Sequence, residues 1–522
     1  MVTSNTGKIL RRQEGHSNAY RYNYWGSPVG TPTATSLIED SANTNNPNNS
    51  SFKLKDLKDA SENIFQFTSA NNQTGKISTR WTYTFLNGIT YNDWFGVTQE
   101  TEIAPGVGYT QKGTGNTGDT QQYIFEGRPN NGTIYISATD VPGDSANESE
   151  NAVTLTTTLI GNPYPSSLDT FQFIDDNQSV ISGTLYVWEQ WAGNSHVLND
   201  YQGGYATINK TGSLVAYQFI GIEGENDEDI EGVKIPTQYL PVGQGFMTEI
   251  VENGNIIFNN KQRVFKTETA NESIFLRTST NSSDTENTTD EDAIMKLLKL
   301  NFTLPNNVQR EIAIGFSDIT TDGFDYGYDG KMFELQANDL YTRLNDENMS
   351  IQAFKMFNDY TQIPLVYNAS EANNFSISAS LIQNFNPEQA IYLKDASSET
   401  YFDLRTLENY SFSTEAGTFS DRFSIVFRED SVLNTGTDLL LKNTLIYVNS
   451  KEKKLYAKNF NVTAKSIQMF NTLGQSVLSQ NNVNAQTLSN TGIDVSKLSA
   501  GTYIVQLHTK DNNMVSKKVV IN

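Results

Sequence analysis

Apolar and polar residues alternate with a period of two in short stretches along most of the chain. Leu298, Leu300, Phe302 and Leu304 fall on one face of a single stretch, and Phe423, Ile425 and Phe427 repeat the pattern. Near the end of the chain Tyr503, Val505 and Leu507 share one face, and Ile504, Gln506 and His508 share the other. Successive side chains of a strand point to opposite sides of its sheet, so this period predicts half-buried strands. Further strands are expected over 310–316, 375–380, 390–393 and 519–521. Thr-rich and aromatic runs between Gly and Asn turns favour strand over helix throughout. The fold class expected is all-β: tandem β-sandwich-like domains ending in a small, Ig-like C-terminal β-sandwich.

One pattern occurs twice. Trp25-Gly26-Ser27-Pro28-Val29 resembles Ile160-Gly161-Asn162-Pro163-Tyr164, and Ala104-Pro105-Gly106-Val107-Gly108-Tyr109 resembles Leu240-Pro241-Val242-Gly243-Gln244-Gly245-Phe246. The two motifs are nearly equally spaced in both occurrences, which predicts a duplicated β unit. Prolines at 163 and 165 fix φ and remove two backbone donors, so the chain is expected to leave its sheet there. Residues 1–150 and 151–277 are thus read as two related β domains. From Thr278 to Asp292 no residue is apolar, so 278–293 is expected to be a linker. A β-sandwich follows over 294–428, then a second linker over 429–444 and a final β unit over 445–522.

The length of 522 residues suits three or four domains. Net charge is −22, and phosphate contacts need clustered Lys and Arg, so nucleic acid is excluded as an expected partner. The charge is uneven. Residues 445–522 hold nine Lys against three acids, or +6, which leaves 28 basic and 56 acidic groups, or −28, in residues 1–444. A basic tail on an acidic body suggests that the two parts meet different partners. There are no cysteines, which excludes disulfides, thiolate metal sites and Cys nucleophiles. No apolar run approaches the ~20 residues of a membrane-spanning helix. The polar stretch Met1-Val2-Thr3-Ser4-Asn5 has no signal-peptide core, so a secreted protein of this sequence is expected to be a fragment or a mature form.

The tail resembles the type A C-terminal sorting domain of type IX secretion substrates, a family of the Bacteroidota. The resemblance rests on three ordered blocks. The first is Ile467-Gln468-Met469-Phe470-Asn471-Thr472-Leu473-Gly474-Gln475. The second runs Ile493-Asp494-Val495-Ser496-Lys497-Leu498-Ser499-Ala500-Gly501-Thr502-Tyr503-Ile504-Val505, and the third is Lys517-Lys518-Val519-Val520-Ile521. Gly474, Gln475, Asp494, Leu498, Gly501, Tyr503, Lys517 and Lys518 carry the motif. The resemblance implies a signal peptide for the inner membrane and recognition of the folded tail by the type IX translocon. It further implies removal of the tail by a sortase-like surface protease, with release or attachment to surface lipopolysaccharide. The protein is then secreted or held on the outer cell surface. The rest of the chain resembles a segment of large flavobacterial surface proteins through blocks such as Tyr22-Asn23-Tyr24-Trp25 and Gly127-Arg128-Pro129-Asn130-Asn131-Gly132. That segment implies a β fold and no particular activity.

Catalytic chemistry has little to work with. The three histidines, His16, His196 and His508, fall in different predicted units, and no nucleophile elbow is present. Asp322, Asp325 and Asp329 form an oxygen-rich stretch that is a weak calcium candidate. Its spacing is not that of an EF-hand, and hairpin turns are the favoured reading. Aromatic residues are densest from Tyr186 to Tyr205. Trp191, His196 and Tyr201, in a Gly- and Asn-rich loop, are the candidate glycan-binding residues, because exposed aromatic faces stack on sugar rings. The function expected is a non-enzymatic, adhesin-like surface protein with no cofactor. The alternatives are the accessory region of a longer secreted hydrolase and a glycan-binding lectin module.

Overall fold

The computed structural model describes residues 7–31, 49–142, 155–218, 232–267, 295–429, 444–458, 460, 463–509 and 514–521. Strands dominate them. The α-helix Thr170–Asp176 is capped by Asp169, whose carboxylate accepts from the Phe171 and Gln172 amides. The chain forms two compact units, Met1–Phe427 and Arg428–Asn522. The linker expected over 278–293 lies outside the described residues, as does all but the two ends of the one expected over 429–444.

In the first unit the repeated motifs occupy equivalent places. Ile9–His16 pairs with Thr120–Gly127, and Tyr22–Trp25 with Tyr109–Lys112. Correspondingly, Ile134–Ala138 pairs antiparallel with Gly254–Phe258, and Thr157–Gly161 with Gly245–Ile250. Trp25 faces Tyr109 as Ile160 faces Phe246. The two sets then interlock. The Gly26 amide donates to the Gly243 carbonyl at 2.8 Å, and the Gly161 amide donates to the Gly106 carbonyl at 2.9 Å. Trp25 bridges to Gln244, and Val107 bridges to Ile160. Each first motif therefore completes the second motif of the other set. Both acceptor glycines have positive φ, 84° at Gly106 and 76° at Gly243, which a side chain would resist.

Residues 296–426 build an eleven-stranded sheet. Asp339–Leu344 turns its corner: Asp339 to Tyr341 pair with Val366 to Asn368, while Thr342 to Leu344 pair with Glu347 to Met349. The alternating faces predicted from the sequence meet across this fold. Leu298, Leu300, Phe302, Phe423, Ile425 and Phe427 are buried together in one core. Gln309–Ser317 and Glu347–Lys355 run parallel, so the chain crosses over between them.

Among the described residues the second unit is a seven-stranded sandwich. Leu445–Asn449, Lys454–Lys458 and Ile493–Asp494 form one sheet. Ser476–Val483, Ala464–Phe470, Gly501–Thr509 and Met514–Ile521 form the other. Ile467, Met469, Val505 and Leu507 are fully buried between them. The period-two pattern at 503–508 is thus realised with Tyr503, Val505 and Leu507 inward and Ile504 outward.

Candidate functional site

In the first unit a four-stranded sheet runs in the order Tyr22–Trp25, Tyr109–Lys112, Tyr83–Thr84, Phe95–Gly96. Its register sets Tyr22 opposite Lys112, and Tyr24 and Tyr83 on either side of Thr110. Directly paired residues share a face. One face therefore carries Tyr22, Tyr24, Tyr83 and Lys112, and the other sends Trp25 and Tyr109 into the core.

Lys112 is buried on that tyrosine face. Its ammonium lies 4.2 Å from the centre of the Trp81 ring, 4.5 Å from Tyr201 and 4.7 Å from Tyr22. It donates to the Tyr201 hydroxyl at 2.7 Å and lies 3.2 Å from His196 Nδ1. Aromatic faces attract a cation through their quadrupole, which replaces part of the lost hydration. Burial nevertheless pushes the Lys112 ammonium down to about 7. His196 stacks on Trp81 at 4.5 Å and 11°, and burial with the neighbouring Lys112 charge lowers it to about 4. At neutral pH the imidazole is uncharged, and its Nδ1 lies within hydrogen-bond reach of Lys112 Nζ. Beside this cage the Tyr24 and Tyr205 hydroxyls meet at 3.0 Å, and Tyr24 stacks on Trp188.

The cage brings together two of the three glycan candidates. His196 and Tyr201 line it, with Tyr201 largely buried. Trp191 does not join them. It packs against the core around Ile160 and Leu185 and lies beside Gly232. Near the cage, aromatic surface reaches solvent on the hairpin from Tyr83 to Gly96. There Phe95 is 69 % exposed and Tyr91 is also exposed. Trp94 behind them is held by Phe85 at 4.8 Å and Tyr24 at 6.1 Å. Asp93 fixes the turn by accepting from the Ile89 and Thr90 amides.

The aspartates at 322–329 have separate partners. Asp322 pairs with Lys355, and Asp325 accepts from the Thr321 amide. Asp329 is buried and accepts from the Asp325 and Ala353 amides. These contacts are those of a turn closing the crossover into Glu347–Lys355. No group of three His, Cys, Asp or Glu able to hold a metal ion occurs among the described residues.

In the second unit the motif residues build two turns. Gly474, at φ 77°, closes the turn 471–475, where Asn471 Oδ1 accepts from the Leu473 and Gln475 amides. Asp494 accepts from the Ser496 amide, and this bond holds its carboxyl below the usual range. Leu498 packs on the core, and the Tyr503 hydroxyl donates to the Ser499 carbonyl at 2.8 Å. Gly501 pairs with Ile521. Lys517 and Lys518 are exposed on the last strand.

Lys112, Trp81 and Tyr22 escaped the sequence reading, because a single Lys at the end of a short strand carries no pattern. The alternation in Tyr22-Asn23-Tyr24-Trp25 was the one available signal, since it sets two tyrosines on one face. No helix among the described residues is long and apolar enough to cross a membrane. Residues 443–522 match the family model described as secretion system C-terminal sorting domain. No curated protein and no solved structure matches the chain. The tail makes this a type IX secretion substrate that is secreted or displayed on the cell surface. Residues 1–427 match the model described as domain of unknown function (DUF8693), and by that match over most of its length the chain belongs to this family.

Proposed function

We propose that residues 1–427 form a non-enzymatic, adhesin-like binding module that the tail delivers to the exterior of a bacterium of the Bacteroidota. An N-terminal signal would take the protein across the inner membrane. Extracellular glycan is the partner class we favour, and surface lipopolysaccharide is the anchor.

The observation that carries this reading is the hairpin bearing Tyr91 and Phe95 over a rigid aromatic base. Exposed aromatic rings are costly in water and are strong anchors at recognition surfaces, where stiff side chains lose little entropy on binding. The ionisable groups buried nearby already have partners. Lys112 is held by Tyr201 and His196.

The test is attachment of the full chain to a panel of immobilised polysaccharides. Binding that falls at least about tenfold in Tyr91→Ser/Phe95→Ser supports the module. Binding unchanged by that pair, or no binding to any polysaccharide, sinks the glycan reading. Turnover of a bound polysaccharide would favour the hydrolase alternative.

A further inference from the structure

The second unit exposes an apolar patch where it has no need of one for folding. Leu473 is 82 % exposed at the tip of the turn 471–475, Ile504 is 45 % exposed and Val520 is 52 % exposed. These three residues lie at the same end of the sandwich. Phe470, the last residue of its strand, pairs with Ile504, so the turn that follows it sits beside the start of Gly501–Thr509. Ile504 also pairs with Lys518, and Val520 pairs with Thr502. Since directly paired residues share a face, Phe470, Ile504, Lys518 and Val520 all lie on the outer side of the four-stranded sheet, while Tyr503 and Val505 point inward.

The rest of that outer face is mostly polar. Gln468 pairs with Gln506, which pairs with Ser516, and Ser466 pairs with His508. The apolar character is thus concentrated at one pole. The two turns built by the sorting motif flank the same pole. Asn471 orders the first through the Leu473 and Gln475 amides, and Tyr503 ties down the second through Ser499. A patch whose backbone is already ordered loses little entropy when it docks.

We infer that this pole, formed by Phe470, Leu473, Ile504, Val520 and Lys518, is the surface through which the tail is read by the type IX machinery. The partner is a protein surface with an apolar recess and acidic surroundings. Its acidity follows from Lys518 beside the patch and from the balance of +6 over residues 445–522. The partner itself follows from the sorting-domain match over 443–522. Continuity between the motif turns and the patch assigns the contact to this end.

The experiment uses the full chain, expressed with a signal peptide in a host with an intact type IX system and in one lacking it. The triple variant Leu473→Ser/Ile504→Thr/Val520→Thr keeps β-branched residues in both strands. It is expected to lower the amount outside the cell at least about tenfold and to accumulate in the periplasm, as in the deficient host. Met514→Thr changes an equally exposed apolar residue (51 %) on the last strand at the opposite end of the sheet, and is expected to export normally. Lys518→Glu alters only an exposed charge, so a folding defect is not at issue, and it is expected to slow export. Wild-type export of both the triple variant and Lys518→Glu would overturn the assignment. Equal loss in Met514→Thr would overturn it too, as would a patch that proves to join two copies of the chain while export is unaffected.

Discussion

Gly26 and Gly161 meet backbone to backbone, with no space for a methyl group on either. A β-carbon on Gly161 would lie 2.5 Å from Gly26 Cα, and one on Gly26 would lie 2.7 Å from Gly161 Cα. Neither neighbour is a flexible side chain, so nothing can swing aside. The amides of Gly26 and Gly161 also donate to the Gly243 and Gly106 carbonyls across the interlock. Gly161→Ala is therefore expected to destabilise the first unit by about 1–3 kcal/mol or more, as overpacking does. All five tryptophans lie between residues 25 and 191, so urea unfolding followed by Trp fluorescence reports this unit alone. A midpoint unchanged from wild type would refute the close approach.

The aromatic cage predicts a pH dependence with a definite sign. Burial lowers Lys112 to about 7 in the folded chain, against an unfolded value of 10.5. Between those values the unfolded chain holds a proton that the folded chain has released. Stability from this group is thus fully present above the unfolded value and is lost as pH falls through about 7. His196, lowered to about 4, gives the same sign over a lower window, with stability rising from about pH 4 to the ordinary value of 6.5. Lys112→Met keeps the length of the side chain and removes the charge. It is expected to flatten the rise in stability between about pH 7 and 9, and to move His196 upward, because Lys112 charge is one cause of its depression. Urea midpoints across pH, with an NMR titration of His196, check both. A slope that survives in Lys112→Met would show that the group is not responsible.

What the sequence disclosed and what it hid follow from the range of the interactions. Leu298 to Leu304 and Phe423 to Phe427 announced their buried faces because a strand's alternation is local. Gly474 was likewise legible as a turn position after an apolar strand, whereas Gly501, expected to be a similar turn, instead begins the strand Gly501–Thr509 and pairs with Ile521. The recurrence of Gly26 and Gly161 was visible, but the interlock of each motif with the other set was not, since nothing local encodes which strand a turn will meet. The cage was hidden for the same reason. Lys112 is 84 positions from His196 and 89 from Tyr201. Trp191 was grouped with His196 and Tyr201 by proximity in the chain, yet it packs against the neighbouring core instead.

The ion pair between Arg310 and Asp339 offers a sharper test of the large sheet. Arg310 Nε donates to Asp339 Oδ1 at 2.8 Å, and Asp339 also accepts from the Gln336 and Leu340 amides. Asp339 is fully buried at the corner strand, and its guanidinium partner covers the Tyr217 ring at 4.8 Å. Burial raises the Asp339 carboxyl, and Arg310 with the hydrogen bonds opposes that shift. Asp339→Ala strands a cation and two amides, and is expected to cost about 3–5 kcal/mol. Arg310→Met/Asp339→Leu removes both charges and is expected to cost less than Asp339→Ala alone. A double-mutant cycle by urea unfolding measures the difference. A loss in the double variant equal to the sum of the losses in Arg310→Met and Asp339→Leu alone would mean that the pair, as a pair, contributes nothing.

Division into two compact units makes a separate prediction for the tail. Leu507 is fully buried between the sheets of the sandwich, alongside Ile467 and Met469. Leu507→Ala leaves a cavity and is expected to destabilise this unit by about 2–5 kcal/mol. Small β-sandwiches have little stability to spare, so a loss of that size opens much of the population. Amide exchange is expected to accelerate in Gly501–Thr509 and in its partners Ala464–Phe470 and Met514–Ile521, which share one hydrogen-bonded sheet. Trp fluorescence and the urea midpoint of the first unit are expected to stay at wild-type values, because no tryptophan lies in the tail and its core is its own. Export should fall in step with the unfolded fraction if the translocon reads the folded sandwich. Normal export by a tail that exchange shows to be open would mean instead that a linear stretch of sequence is recognised.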